Sequence, residues 1–251
     1  MREGLKYLAQ SVYPGRLIII GRDRTGGNII TAYAITGRSS SSQARRLVRK
    51  KESVWTEPTQ KNLIQEQKRE LLFYPALFLS PGLTVGNGRH NLDVKSRLSR
   101  SQNQSPSEIM SRALSRWDYE PDPPIFTPRI SGCVVPSLRA ALSLIKRGED
   151  GSTLRNTFEF PLVAGMGKAL FTYKGDNREP LEPFSGEPLD LELNENNSRY
   201  TAEALYQALC PAEGGKDFRV AAACVFSSIS ERKSHDVFII NRYERRGEKH
   251  G

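Results

Sequence analysis

Four short clusters in this chain carry polar groups that can do chemistry without a metal. They are TGRSSSSQAR (36–45), FYP (73–75), GNGRH (86–90) and DYEPD…TPRI (118–130). Each falls at a strand end or a turn, where site residues tend to lie. The last is the densest: Asp118, Glu120 and Asp122 stand together, Pro121, Pro123 and Pro124 run among and after them, and Arg129 follows. Proline cannot sit inside a helix and keeps the residue before it extended, so these carboxylates ride on a stiff, irregular arm. Singly, each cluster also has an ordinary structural reading. A tyrosine before a proline packs, an Asn-Gly pair turns, and a charged helix end faces water.

Other chemistries find less support. GRDRTGGN (21–28) has neither dinucleotide-binding nor Walker spacing, and no helix follows it; it reads as a hairpin turn. GMGK (165–168) looks like a truncated phosphate loop, but its flanks read as strand. His90, His235 and His250 are far apart and in no metal-ligand spacing. GRSSSS lacks the glycine pair that a serine nucleophile elbow needs. Met1-Arg2 offers no amino-terminal nucleophile.

The elements that must position the clusters read as follows. Residues 15–36 form a β-hairpin, with GRLIIIGR and IITAYAIT as its strands. A third strand is expected over 47–57, a loop or short helix over 58–70, and a short strand over 83–86. The serine-rich stretch 91–107 reads as polar connection. Residues 105–116 read as a helix, because Ser105 can cap it, Pro106 suits its first turn and Glu108 stands at capping-box spacing. A strand follows over 128–135. Leu138, Ala141, Leu142 and Ile145 make a stripe that predicts an amphipathic helix over 136–149. Residues 157–174 are strand-like with glycine interruptions, 199–209 helical, and 217–226 and 234–242 strands; the tail is expected to fray. Many strands, few helices and no βα alternation predict an α+β fold with mainly antiparallel sheet, in one domain over residues 1–251.

Composition sets the class. The 251 residues are 37% hydrophobic, enough for a core at this length. Three widely spaced cysteines, Cys133, Cys210 and Cys224, argue against a disulfide framework and for a reducing compartment. No secretory signal is visible and the apolar runs are too short to span a bilayer, so a cytoplasmic protein without membrane association is expected. The net charge of +9 favours phosphorylated or polyanionic partners. ARRLVRKK (44–51) holds five cations and reads either as a binding patch or as a solvated helix face. A basic nucleic-acid-binding module is one candidate, although no zinc-finger, helix-turn-helix or RNP signature is present.

Taken together and in order, the four clusters resemble the archaeal-type IMP cyclohydrolase family. The resemblance rests on the opening hairpin with Gly15-Arg16 and Gly21-Arg22, the turn Gly37-Arg38-Ser39, the turn Asn87-Gly88-Arg89-His90, and Asp118-Tyr119-Glu120 with Thr127-Pro128-Arg129-Ile130. The last is the most specific, since its pieces and their separation both match. Residues 13–135 are covered well and the remainder loosely. The stretch between Arg38 and Arg45 is longer than the family form, Tyr74 aligns only with a gap, and 91–105 and 176–198 read as extra loops.

The resemblance implies closure of 5-formamidoimidazole-4-carboxamide ribonucleotide to inosine monophosphate with loss of water, without metal or organic cofactor. This is a cyclohydrolase run in its ring-closing direction, at the end of purine synthesis. It also implies a four-layer α-β-β-α sandwich like that of the amino-terminal-nucleophile (Ntn) hydrolases. In that reading Glu120 handles protons, Tyr74 donates to the formyl oxygen, and Arg38 or Arg45 stabilises negative charge. Arg129 and Arg89 are candidates for the 5′-phosphate, Asn87 for the carboxamide, and His90 and Thr127 for further substrate contacts. The partner is then a purine ribonucleotide and not a nucleic acid. A homo-oligomer and a formyltransferase companion are both compatible with the sequence. A different amidohydrolase on the same fold is the remaining alternative.

Overall fold

Two antiparallel ribbons set the frame. The expected hairpin is present as β1 (Arg16–Arg22) and β2 (Asn28–Thr36), paired from Arg16↔Ile35 to Arg22↔Ile29. This computed structural model describes residues 7–59, 69–80, 82–101, 103–231 and 234–243. Most of the segment 58–70, and the tail beyond Tyr243, lie outside the described residues.

The expected third strand is two. β3 (Arg45–Lys50) and β4 (Ser53–Pro58) form a hairpin turned at Lys51, which holds a positive φ of 51°. The basic run is therefore a strand and not a helix face. β5 (Pro75–Phe78), β6 (Thr84–Gly86), β7 (Arg129–Val135), β8 (Arg139–Arg147) and β9 (Thr153–Pro161) complete a seven-stranded sheet in chain order from β3 to β9. β10 (Met166–Phe171), β11 (Leu189–Glu192), β12 (Arg219–Ser228) and β13 (His235–Asn241) join the first hairpin in a six-stranded sheet, ordered β11-β10-β1-β2-β12-β13. Residues 7–10 are helical, and the helices that follow are α1 (Ser40–Gln43), α2 (Arg69–Leu72), α3 (His90–Arg100), α4 (Pro106–Leu114) and α5 (Ser198–Ala208). The fold is α+β with two antiparallel sheets and few helices.

Two expectations fail for physical reasons. The amphipathic helix over 136–149 is β8. Its Ala140, Leu142 and Leu144 join the core between the sheets, while Ala141 and Ile145 pack under α3 and α4. A strand buried on both faces shows no polar alternation, so its apolar residues imitate a helical stripe. The serine-rich segment after residue 90 is α3, a helix whose mainly polar sequence buries only His90, Asn91, Val94 and Leu98. Contact with β6, β7 and α4 stabilises it where composition alone does not.

Alternation along the strands sorts side chains into layers. In β7, Ile130 and Val134 face the inter-sheet core, whereas Cys133 and Val135 face the pair α3 and α4. A side chain on Gly132 would meet Ile20 Cδ1 of the other sheet, so the sheets touch at this glycine. Helix α5 packs on β12 and β13. Among the described residues no helix is long and apolar enough to cross a membrane.

Candidate active site

Arg16 opens β1. Its N–H donates to Thr172 Oγ1 and its carbonyl accepts from the Thr172 N–H, both at 3.0 Å. Gly15 before it has φ +77°, and a Cβ there would fall 2.0 Å from Thr172 Oγ1. The glycine is what lets the chain enter the sheet beside Thr172. Arg16 shares its strand face with Ile18 and Ile20, and cross-strand pairing places Tyr33 of β2 beside Ile18 on that face. Both side chains therefore point into the space between the sheets.

The opposite sheet supplies Tyr74. It lies between α2 and β5, where Pro75 holds it extended. Its N–H donates to Thr56 Oγ1 at 2.9 Å, and its carbonyl accepts from the Thr56 N–H at 3.0 Å. The β4–β5 ladder slips in register here, with Trp55 facing Pro75, which has no N–H to give. The Tyr74 hydroxyl meets the Tyr33 hydroxyl at 2.6 Å, fully buried. Burial raises the Tyr33 phenol well above its ordinary value, with Tyr74 adding to the rise and Arg16 and Arg45 opposing it.

Arg45 begins β3 on the same strand face as the core residue Leu47. The serine-rich turn aims it. Ser39 caps α1, and the Ser42 carbonyl accepts from Arg45 Nε at 2.8 Å. Arg45 is 1% exposed, yet among the described residues neither of its terminal nitrogens has a hydrogen-bond partner. Arg16 is 6% exposed, and its Nε is likewise unpartnered. Burial first, and then the Arg16 charge, pulls the Arg45 guanidinium below its usual value.

The proline-rich arm brings in Glu120. Its N–H donates to the Thr127 carbonyl at 2.9 Å, and Asp122 accepts from the Thr127 N–H at 2.7 Å and from Thr127 Oγ1 at 2.6 Å. These bonds tie the neck of the arm and turn the Glu120 side chain inward. Glu120 is buried, and its Oε1 lies 3.7 Å from Arg129 Nη1 without a hydrogen bond. Burial pushes its carboxyl up to about 7; Asp122 adds to this, while Arg16, Arg129 and Arg45 pull the other way. A buried carboxyl near neutrality is suited to moving protons in both directions. Arg129 stacks on the Trp117 ring at 5.0 Å and donates from Nε to the Asp118 carbonyl at 2.7 Å.

The structure thus sets Tyr74 and Glu120 each within electrostatic reach of Arg45 and Arg129. Other sequence candidates stand elsewhere. Arg38 lies at the rim, over the Tyr13 ring at 5.1 Å and paired with Glu179 at 2.6 Å. Arg89 is exposed and paired with Glu70. The Asn87 amide is engaged: it donates to the Pro128 carbonyl at 2.9 Å and accepts from the Ile130 N–H at 2.8 Å. His90 is buried with Nε2 3.1 Å from the Ile130 carbonyl, and burial followed by the Arg129 charge pushes it down to about 3. It is neutral at any ordinary pH. Thr127 serves the arm and also meets the Tyr173 hydroxyl at 2.9 Å.

Sequence reading passes over Arg16 and Tyr33 as site residues. Arg16 stands at the mouth of the LIII run and in the Gly15-Arg16 pair of the family resemblance, but neither signal gives it a role. Nothing local marks the second, because only sheet packing sets it against Tyr74. Among the described residues no group of three or more His, Cys, Asp or Glu could hold a metal ion.

Comparison with known families matches residues 13–228 to the model for IMP cyclohydrolase-like protein. This chain belongs to that family. A search of curated proteins finds no match. The IMP cyclohydrolase-like match spans every strand that supplies the cluster, from β1 through β12.

Proposed function

We propose that the protein closes 5-formamidoimidazole-4-carboxamide ribonucleotide to IMP, the whole chain serving as one cyclohydrolase-like domain. The carrying observation is Glu120: a buried carboxyl poised near 7, set among arginines of which Arg16 also acts on Tyr74, in a family of cyclohydrolase-like proteins.

In the reaction the carboxamide nitrogen attacks the formyl carbon and a C–N bond forms. The formyl oxygen becomes the hydroxyl of a carbinolamine. That hydroxyl then leaves as water, with one proton from the carboxamide nitrogen and one from the formamido nitrogen, and the bond to the formamido nitrogen becomes C=N in the ring already closed. Both reacting groups sit on adjacent ring atoms, so the substrate supplies proximity and the enzyme supplies rotamer control and proton management. Glu120 takes the carboxamide proton and returns a proton to the departing hydroxyl. Tyr74, held by Tyr33, donates to the formyl oxygen as charge develops there, a type of contact worth on the order of 3–4 kcal/mol in a dry site. Arg16 first, and Arg129 after it, are the counter-charges that keep Glu120 from being permanently protonated.

The arginine that serves this pocket is Arg45 and not Arg38, on the strength of its burial among the phenols. The layering of helices outside two facing sheets supports the α-β-β-α arrangement of Ntn hydrolases, here without their terminal nucleophile.

The test is direct. Purified protein mixed with the formamido ribonucleotide should raise the inosinate absorbance well above the uncatalysed rate. Folded protein that leaves the substrate unchanged overturns the reading, and ammonia release from an amide substrate would favour an amidohydrolase instead.

A further inference from the structure

Strand β9 ends the seven-stranded sheet, and its outer edge has no strand beside it among the described residues. It pairs with β8 along its whole length, from Arg139↔Pro161 to Arg147↔Thr153, without a bulge. The ladder fixes which backbone groups look outward. At its two ends the Leu162 N–H donates to the Leu138 carbonyl and the Gly148 N–H to the Ser152 carbonyl. Hydrogen-bonded pairs alternate along an antiparallel ladder, so the even-numbered residues of β9 bond inward to β8. Thr153, Arg155, Thr157 and Glu159 therefore turn N–H and carbonyl to the open side, and none of them makes another backbone hydrogen bond among the described residues. Leu154 is 43% exposed on the same strand. Proteins commonly blunt such an edge with lysines, an inner proline or a bulge. β9 has no lysine and no bulge, and its proline comes last, at Pro161.

We infer that β9 is a docking edge for a second copy of this chain, paired antiparallel about a two-fold axis at Thr157. The strand is complementary to itself in that register. Arg155 falls opposite Glu159 of the second copy, twice over, and Leu154 falls opposite Phe160. The ion pairs lie on the face towards α4 and the apolar pairs on the inner face, because Ala141 and Ile145 of β8, opposite Glu159 and Arg155, pack under the helices while Ala140, opposite Phe160, packs in the core. Opposite charges and apolar side chains set across from each other are what stabilise a strand pair. A slip of two residues either way loses both ion pairs, so the charges also fix the register. The charges are held in advance: Arg155 donates to the Trp117 carbonyl and Asp118, and Glu159 accepts from Arg139 and from the Ser107 N–H. Partners already ordered lose less freedom on association. The pocket groups Tyr74, Glu120, Arg45 and Arg129 all lie off β9, so the docking edge stands apart from the cyclohydrolase reading.

Sedimentation velocity of the full chain across the micromolar range tests this, with circular dichroism to confirm folding. The wild type should form a dimer. Thr157→Pro keeps β9 on β8, since that N–H faces outward, but removes both bonds at the axis. It should raise the dimer dissociation constant on the order of a hundredfold, at roughly tenfold for each bond. Arg155→Glu sets acid against acid across the axis, Glu159→Arg sets cation against cation, and each alone should weaken the dimer about tenfold. An equimolar mixture of these two variants should associate more tightly than either alone, because each strand then complements the other. The mixture decides the matter if Thr157→Pro does not fold. A wild type that stays monomeric, a dimer that folded Thr157→Pro leaves intact, or variants that gain nothing on mixing would each overturn the docking edge. A larger wild-type assembly upholds it if Thr157→Pro halves that assembly and overturns it otherwise.

Discussion

The Tyr33 and Tyr74 hydroxyls meet at 2.6 Å across the interface of the two sheets, one phenol from each. The pair fixes where the Tyr74 hydroxyl points. Tyr74→Phe should lower kcat on the order of 10²–10³-fold, the usual cost of removing a donor to a developing oxyanion. Tyr33→Phe should cost about tenfold in kcat with KM unchanged, because one hydrogen bond of about 1 kcal/mol is lost and the donor remains. Steady-state kinetics of the two variants checks the order. Equal losses would remove the distinction between donor and support.

On the proposed reading, Glu120 should set the pH dependence of turnover. With its carboxyl near 7, the base form grows as pH rises through that value, so kcat should climb on an acid limb centred there. Glu120→Gln should remove about 10²–10⁴-fold of activity while ribonucleotide binding persists. A glutamine variant with full turnover would discard the proton-transfer role.

The same carboxyl shapes stability. Its folded value of about 7 lies above the ordinary 4.5. Between these values the unfolded chain releases its proton while the folded chain keeps it, so stability falls as pH rises through that window. The drop is roughly 3 kcal/mol. Denaturant titrations at pH 5 and 7.5 should show this difference in the wild type and lose it in Glu120→Gln.

Arg129, after Arg16, helps to hold Glu120 down. Arg129→Met removes a cation 3.7 Å from the carboxylate. The acid limb of the kcat profile should then move about one unit higher. An unmoved limb would show that the cation does not govern this proton.

Helix α4 carries a complete capping box, with Ser105 Oγ accepting from the Glu108 N–H and Glu108 accepting from the Ser105 N–H. Ser105→Ala should cost about 1 kcal/mol in denaturant unfolding. Turnover below the transition should stay as it is, because Ser105 touches none of the pocket groups.

How much of this was legible depends on whether the signal was local. The Ser105-Pro106-Glu108 spacing announces a helix start because capping is a contact over three residues. The 15–36 hairpin is equally local, with glycines in its turn. β8 was misread because a doubly buried strand and a helix stripe share a composition. The site divides the same way. Glu120 and Tyr74 sit in unusual local contexts, beside prolines, and stood out. Tyr33 sits mid-strand among apolar residues, and its partner is 41 positions away. Sequence does not separate Arg45 from Arg38; burial does, and burial is a property of two sheets.

The double tie of Asp122 to Thr127 closes the proline arm at its base, with Pro123 and Pro124 exposed at the far end. A change at that tip leaves in place both this tie and the bond from the Glu120 N–H to the Thr127 carbonyl. The tip is therefore a natural graft point, where a fluorophore or a short peptide can be installed for immobilisation or tracking while the Glu120 backbone stays tied.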